Sequence, residues 1–215
     1  MFRLTSGIVL GDVDEDHADD AAPPAGGERR LRADAQRSID ALLAAAKAVF
    51  ATSGVDAPVR EIAERAGVGV GTVDRRFPQR ADLIAAVCRR EMDACADAAL
   101  VLAADYPPFE ALAHWLQRFA AFVGTKRGLA KALHSGDPAF EALPAYFEQR
   151  LRPALGMLLD AATAAGEARA DVDPDEILGA VSSLCMSMQS GGLEQSQRMV
   201  GLLADGLRYR PKLAE

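Results

Sequence analysis

Cysteine, long apolar runs and aromatic residues are all scarce in this chain of 215 residues. Its three cysteines, Cys88, Cys95 and Cys185, have no CxxC spacing, which argues against a zinc site or a disulfide framework. No apolar run approaches the roughly 20 residues of a membrane-spanning helix, and acidic residues follow the first ten positions too closely for a secretory signal. Ala and Leu are common, whereas β-branched and aromatic residues are few. We therefore expect an all-α, cytoplasmic protein without a membrane partner.

Motifs of catalytic chemistry are also missing. The sequence contains no GxSxG, no HExxH, no phosphate-binding loop and no recognisable Ser/His/Asp framework. Its three histidines and scattered carboxylates do not form a spaced set. We therefore expect no enzymatic activity, no cofactor and no bound metal.

Charge is distributed unevenly along the chain. Residues 1–27 carry six acidic side chains and one basic one, whereas residues 28–90 carry twelve basic and eight acidic side chains, a net charge of +4. Residues 91–215 are acidic again, with a net charge of −6. A basic segment inside an acidic protein indicates a local anionic partner.

The acidic N-terminal residues show no apolar period, and residues 1–30 are predicted to be a disordered tail. An apolar period of three and four then predicts a helix over residues 34–52, and Gly54 suits the left-handed position that ends it.

Residues 58–77 have the pattern of a helix-turn-helix motif. Pro58 precedes a short apolar stripe that Gly67 ends, and a second helix is predicted over 70–76 with Gly69 as its N-cap. Val73 and Phe77 are expected to face inward. A longer helix is predicted to begin near Arg80 and to run to about residue 104.

Five short features stand out in and after the motif: Ile62-Ala63, Ala66-Gly67-Val68, Gly71-Thr72-Val73, Arg76-Phe77, and Arg80 before Leu83. Together they resemble the N-terminal domain of TetR-type transcriptional regulators. The resemblance covers about residues 34–90. It implies a three-helix DNA-binding domain over residues 31–80, with the helix-turn-helix motif at 58–77. Residues 81–215 would form a helical ligand-binding and dimerisation domain, giving about nine helices in all.

The expected DNA-contacting residues occupy the outward side of the second helix of the motif and its flanks. Basic side chains neutralise phosphates, and short side chains at the helix surface reach base edges. The set is Arg60, Val70, Gly71, Thr72, Asp74, Arg75, Arg76 and Arg80.

Asp74 departs from the family pattern, which commonly has tyrosine there. Two roles are open to it. Its carboxylate accepts a hydrogen bond from a cytosine amine in the major groove, or it forms an ion pair with a neighbouring arginine and only reduces affinity.

The C-terminal region contains further apolar stripes at helical spacing. A pocket is predicted between a helix over about 109–124 and the last two helices, which span about 174–188 and 193–208. Its expected lining is His114, Trp115, Phe119, Phe122, Met157, Leu184, Met186 and Met188, with His134 as a second polar group. The same stripes also suit plain core packing. The last two helices have apolar residues on more than one side, which favours a four-helix dimer interface.

The sequence therefore predicts a ligand-responsive transcriptional regulator, most simply a repressor. It would bind a palindromic double-stranded DNA operator as a homodimer and leave it when a small apolar effector binds. The alternative is a helical ligand-binding or interaction protein with weak or no specific DNA binding.

Overall fold

The computed structural model describes residues 25–125, 129–187 and 192–208, and these residues form helices and connecting turns without a β-strand. This confirms the all-α prediction. The helices are α1 (Ala25–Ser53), α2 (Val59–Ala66), α3 (Val70–Arg76), α4 (Arg80–Asp105), α5 (Pro108–Thr125), α6 (Ala130–Leu133), α7 (Leu143–Ala164), α8 (Pro174–Ser187) and α9 (Gly192–Arg208).

The chain divides into two units, residues 1–36 and residues 37–215. The first is described from Ala25 onward, as the beginning of α1. The second contains the helix-turn-helix motif and all later helices. The predicted boundary between residues 80 and 81 coincides with the first turn of α4 and stays a prediction.

Helix α1 begins at Ala25, nine residues before its predicted start and within the predicted tail. The residues added, Ala-Gly-Gly-Glu-Arg-Arg-Leu-Arg-Ala, include several strong helix formers but almost no apolar side chain. The apolar period therefore gave no signal there. Residues 1–24 of the predicted tail lie outside the described residues. The end of α1 agrees with its prediction, because Gly54 has φ +80° and donates its N–H to the Phe50 carbonyl at 3.2 Å.

The predicted helices over the motif and beyond it agree with the structure to within about a turn. Helix α3 occupies the predicted positions 70–76, with Gly69 as its N-cap. Helix α8 begins as its sequence predicts, since Asp173 accepts the N–H of Asp175 at 2.8 Å and its own N–H donates to Glu176 at 3.3 Å.

The segment between α5 and α7 contains two short elements. Helix α6 spans Ala130–Leu133, and residues 126–128 before it lie outside the described part. A 3-10 helix at Pro138–Phe140 had no sequence signal, because three residues are too few to show a period. Asp137 caps it by accepting the Ala139 N–H at 2.9 Å.

Helix α5 is the centre of the larger part of the fold and packs on α4, α7, α8 and α9. Its Trp115 is fully buried and donates its indole N–H to the Cys95 carbonyl of α4 at 2.9 Å. Buried residues of the motif, including Ile62 and Val73, belong to the same continuous core. None of the helices in the described ranges has the length and hydropathy of a membrane span.

Candidate nucleic-acid interface

The turn between α2 and α3 is fixed by local backbone hydrogen bonds. Gly67 has φ +69°, and its N–H donates to the Glu64 carbonyl at 3.2 Å. The next N–H, of Val68, reaches back to the Ala63 carbonyl at 3.0 Å. This pair of bonds is the Schellman arrangement, which needs a left-handed residue and so favours glycine. Helix α3 therefore leaves α2 in a direction that the sequence sets locally.

Helix α3 buries one side and exposes the rest. Val73 is 1% exposed and anchors the helix in the core, with half-buried Phe77 just beyond its end. All six other residues of this seven-residue helix are exposed: Val70, Gly71, Thr72, Asp74, Arg75 and Arg76. The predicted contact residues on α3 thus form one accessible surface, which we call the α3 face.

The charged groups of the α3 face lack partners within the described part of the chain. Neither Arg75 nor Arg76 makes a hydrogen bond or an ion pair there, and the same holds for Asp74. Asp74 thus makes no ion pair with a described residue, and both of its predicted roles stay predictions. All three side chains face solvent and are available to another molecule.

Arg80 is held differently, because it serves the fold as well as the surface. It is half-buried, and its Nη1 donates a hydrogen bond to the Val55 carbonyl in the turn between α1 and α2. The start of its helix is fixed by the Gln79 N–H, which donates to the Asp82 carboxylate at 3.1 Å. The sequence gave no indication of the link to Val55, since a backbone acceptor 25 residues away has no side-chain signature. A phosphate contact by Arg80 stays a prediction.

Arg60 lies on the exposed side of α2 and is paired. Its Nε donates to Glu64 Oε1 at 2.7 Å, one helical turn away. This hydrogen bond, with the attraction of the same carboxylate, raises the pKa of Arg60. An exposed pair of this kind contributes little to stability, so it can open to let Arg60 face a phosphate.

The residues predicted to line a pocket are distributed over several surroundings. Trp115 and Phe119 have no exposed surface, and their rings stack at 5.5 Å between centroids. Phe122 continues this cluster at 6.1 Å from Phe119. Met157 and Leu184 are half-buried, Met186 is exposed, and Met188 lies outside the described residues.

The predicted pocket residues that border open space do so in different places. His114 borders a groove of about 530 Å³, and Phe122 borders an adjoining recess of about 190 Å³ that shares Ala94 and Arg118 with it. His134 borders another recess, of about 310 Å³. The roles of the predicted pocket residues stay predictions.

Large apolar side chains are also exposed on the last two helices, namely Met186 at 42%, Leu193 at 48% and Leu202 at 64%. Leu193 and Leu202 are nine residues apart, which places them on opposite sides of α9. We call the exposed surface of these two helices around Leu202 the α8/α9 face. Within the described ranges, no group of three or more His, Cys, Asp or Glu side chains is placed to hold a metal ion.

Comparison with known proteins identifies two regions of the chain. Residues 42–87 match the model of bacterial regulatory proteins of the tetR family, and residues 107–209 match that of the C-terminal domain of SbtR-like transcriptional regulators. None of the curated proteins matches the chain.

Two solved structures share more than a third of their aligned residues with the chain. A TetR transcriptional regulator from Streptomyces coelicolor is 37% identical, with a TM-score of 0.69 over 79% of this chain and 97% of that one. A TetR transcription regulatory protein from Mycobacterium vanbaalenii is 36% identical, with a TM-score of 0.64 over 83% of this chain and 99% of that one.

Proposed function

The chain belongs to the TetR family of transcriptional regulators, and from this premise we propose that it is a ligand-responsive repressor that binds a palindromic operator as a homodimer. Proteins of this family are DNA-binding transcription factors rather than enzymes. What is proposed is the mode of action and the residues that carry it.

The observation that carries the proposal is the α3 face. A seven-residue helix with one buried valine and six exposed residues is suited to a polyanion with a groove, since two of the six are arginines without a partner among the described residues. Arg75 and Arg76 contact phosphates in this proposal, and Thr72 with Val70 faces base edges. Gly71 has open space around it, so the DNA can approach the backbone closely at this position.

Arg60 and Arg80 flank the α3 face and contribute the outer phosphate contacts. Both already hold an acceptor, a carboxylate for Arg60 and a carbonyl for Arg80. Each would share or exchange that acceptor for a phosphate. We therefore rank them below Arg75 and Arg76 in their contribution to affinity.

Dimerisation through the α8/α9 face supplies the second recognition helix. Exposed Leu202 on α9 offers apolar surface that a second copy buries. A two-fold dimer places its recognition helices about 34 Å apart, one turn of B-form DNA, and so selects a palindrome.

Release from DNA follows from an effector that binds the C-terminal helices. Such an effector shifts the population toward a conformation in which α4 tilts and the two α3 helices no longer match the spacing of the major grooves. Helix α4 is suited to this coupling because it follows the motif directly in the chain and packs on both α5 and α7.

Selection of bound duplexes from a random pool tests the proposal. We expect an enriched palindrome whose affinity for the protein falls steeply as salt is raised. Enrichment of a single half-site without symmetry would contradict the dimer. No enrichment, together with no salt-dependent binding, would favour the alternative of a helical ligand-binding or interaction protein.

A further inference from the structure

The groove that His114 borders lies open on the surface between α4 and α5 and has a volume of about 530 Å³. Its wall on α5 is formed by His114 and Arg118, which are one helical turn apart. Its wall on α4 is mostly aliphatic, with the side chains of Ala94, Ala98, Val101 and Leu102. The groove thus combines an apolar wall with a cationic group.

We propose that this groove binds a linear aliphatic carboxylate of about eight to ten carbon atoms, with its carboxylate on Arg118 and its chain along α4. The site is additional to the effector site of the proposed function. Binding of the carboxylate here does not require binding of DNA.

The position of the ligand carboxylate follows from the way Arg118 is held. Arg118 is exposed, and its Nη2 donates a hydrogen bond to the Ala94 carbonyl at 3.0 Å, which fixes the guanidinium at one end of the groove. Its other N–H groups have no acceptor among the described residues. A guanidinium presents its donors in a planar fork that matches a carboxylate. A carboxylate at this end therefore gains charge-assisted hydrogen bonds.

The acidic groups near Arg118 already have partners of their own. Asp97 also lines the groove, and it accepts a hydrogen bond from Arg150 at 2.8 Å. Glu91, in the adjoining recess, forms an ion pair with Lys47. Arg118 borders both spaces and makes no ion pair within the described part of the chain, so it is available to an anion from outside.

The length of the ligand follows from the aliphatic wall. Ala94 and Leu102 are eight residues apart on α4, a rise of about 12 Å. An extended carbon chain advances about 1.3 Å for each bond, so about nine bonds cover this distance. The rings of His114 and Tyr106, 4.4 Å apart between centroids, mark the end of the groove away from Arg118.

The aliphatic wall also supplies the apolar part of the affinity. Val101 is 60% exposed, and Ala94 and Ala98 are small enough for a chain to lie close to the helix. A bound chain would cover this surface and remove its own methylene groups from water. An ion without a chain gains none of this.

The test compares three probes by calorimetry with the full-length protein, at concentrations below those at which the probes form micelles. Decanoate should bind. Decylammonium, which has the same chain and the opposite charge, should bind at least about tenfold more weakly, because its charge meets Arg118. Hexanoate, which lacks four methylene groups, should also be weaker by about tenfold.

Two pairs of variants test where decanoate binds. Ala98→Leu fills the groove and should weaken binding by about tenfold or more. Ala103→Leu makes the same change at an exposed position on another side of α4 and should leave binding unchanged. Arg118→Ala should weaken binding about fivefold through the lost ion pair. Arg152→Ala, which removes an equal charge from the exposed side of α7, should have no effect.

The proposal is wrong if decanoate does not bind, if decylammonium binds as tightly, or if Ala98→Leu and Ala103→Leu lose equal affinity. An effect of Arg118→Ala no larger than that of Arg152→Ala would also overturn it, because the chain would then bind by apolar contact alone. Duplex binding measured on the same preparations keeps this proposal apart from the proposed function. Decanoate binding without DNA binding supports the groove and rejects the repressor, whereas DNA binding without decanoate binding rejects the groove alone.

Discussion

The two accessible surfaces of this protein differ in the chemistry that they offer. The α3 face is small and charged, with Arg75 and Arg76 unpaired among the described residues and Val70 as its one large apolar side chain. The α8/α9 face exposes an apolar side chain, Leu202, which is 64% exposed. A charged face gives association that weakens with salt, whereas an apolar face gives association that salt affects little.

The origin of the two surfaces differs as well. The turn at Gly67 fixes the direction of α3 through hydrogen bonds within six residues, so this face is a local product of the sequence. The α8/α9 face depends on how two helices pack on α5 and, in the proposed dimer, on a second copy. The first is therefore expected to tolerate loss of the dimer, and the second to tolerate loss of charge on α3.

The largest effect is expected from Leu202→Glu. Each subunit of the dimer would bury an unpaired carboxylate, which is costly, so we expect mainly monomers by analytical ultracentrifugation. Affinity for the selected operator should fall on the order of 100-fold, because a monomer binds with one α3 helix instead of two.

Leu100→Glu is the matched control for this variant, since Leu100 on α4 is 67% exposed against 64% for Leu202. It should leave both the dimer and the operator affinity unchanged. A dimer that survives Leu202→Glu and dissociates in Leu100→Glu would place the interface on α4 instead.

Arg76→Ala is expected to have the next largest effect and to act through charge alone. Operator affinity should fall about tenfold, with a similar loss on unrelated duplexes, and the slope of affinity against salt should decrease by about two, one contact for each subunit. The measurement is a titration at several salt concentrations. Arg152→Ala, which removes an equal charge from the exposed side of α7, should change neither quantity. A loss confined to one operator position would indicate a base contact by Arg76.

The sequence predicted the DNA-binding region more fully than the C-terminal region, and the reason is physical. Gly67 and Gly69 act through their own backbone or through neighbours a few residues away, so the local sequence is enough to predict their roles. The hydrogen bond from Arg80 to the Val55 carbonyl could not be predicted in this way, because it depends on how the first turn of α4 packs against a distant loop.

Cavities depend on packing between helices far apart in sequence. Trp115 and Phe119 have the spacing expected of a pocket lining, yet the same spacing suits a core, and the structure buries both completely. His134 borders a cavity because α6 ends against α4 and α7. Periodicity identifies the inward side of a helix, whereas only the assembled fold decides whether that side meets another side chain or an empty space.

Gly67→Ala tests whether the α3 face is fixed locally. A side chain at φ +69° meets no atom within 4 Å, so the cost is conformational, about 1 kcal/mol in the free energy of unfolding. Gly71→Ala is the control, because Gly71 lies within α3, where alanine is favoured over glycine, and has equally open surroundings. It should be neutral or slightly stabilising in thermal and denaturant unfolding. Equal destabilisation by both variants would contradict a turn that depends on the left-handed residue.

The smallest effect, and the finest test of the α3 face, is expected from Asp74→Asn. Asp74 is exposed without an ion pair in the described part of the chain, so its negative charge opposes a polyanion without compensation. Removing that charge while keeping the shape should raise affinity for unrelated duplexes about threefold, measured by titration at low salt, where charge matters most. The operator separates the two roles that the sequence left open. If Asp74 only reduces affinity, operator binding should rise by the same factor. If its carboxylate accepts a hydrogen bond from a cytosine amine, operator binding should fall while binding to unrelated duplexes rises, and the loss should disappear on an operator with that cytosine replaced.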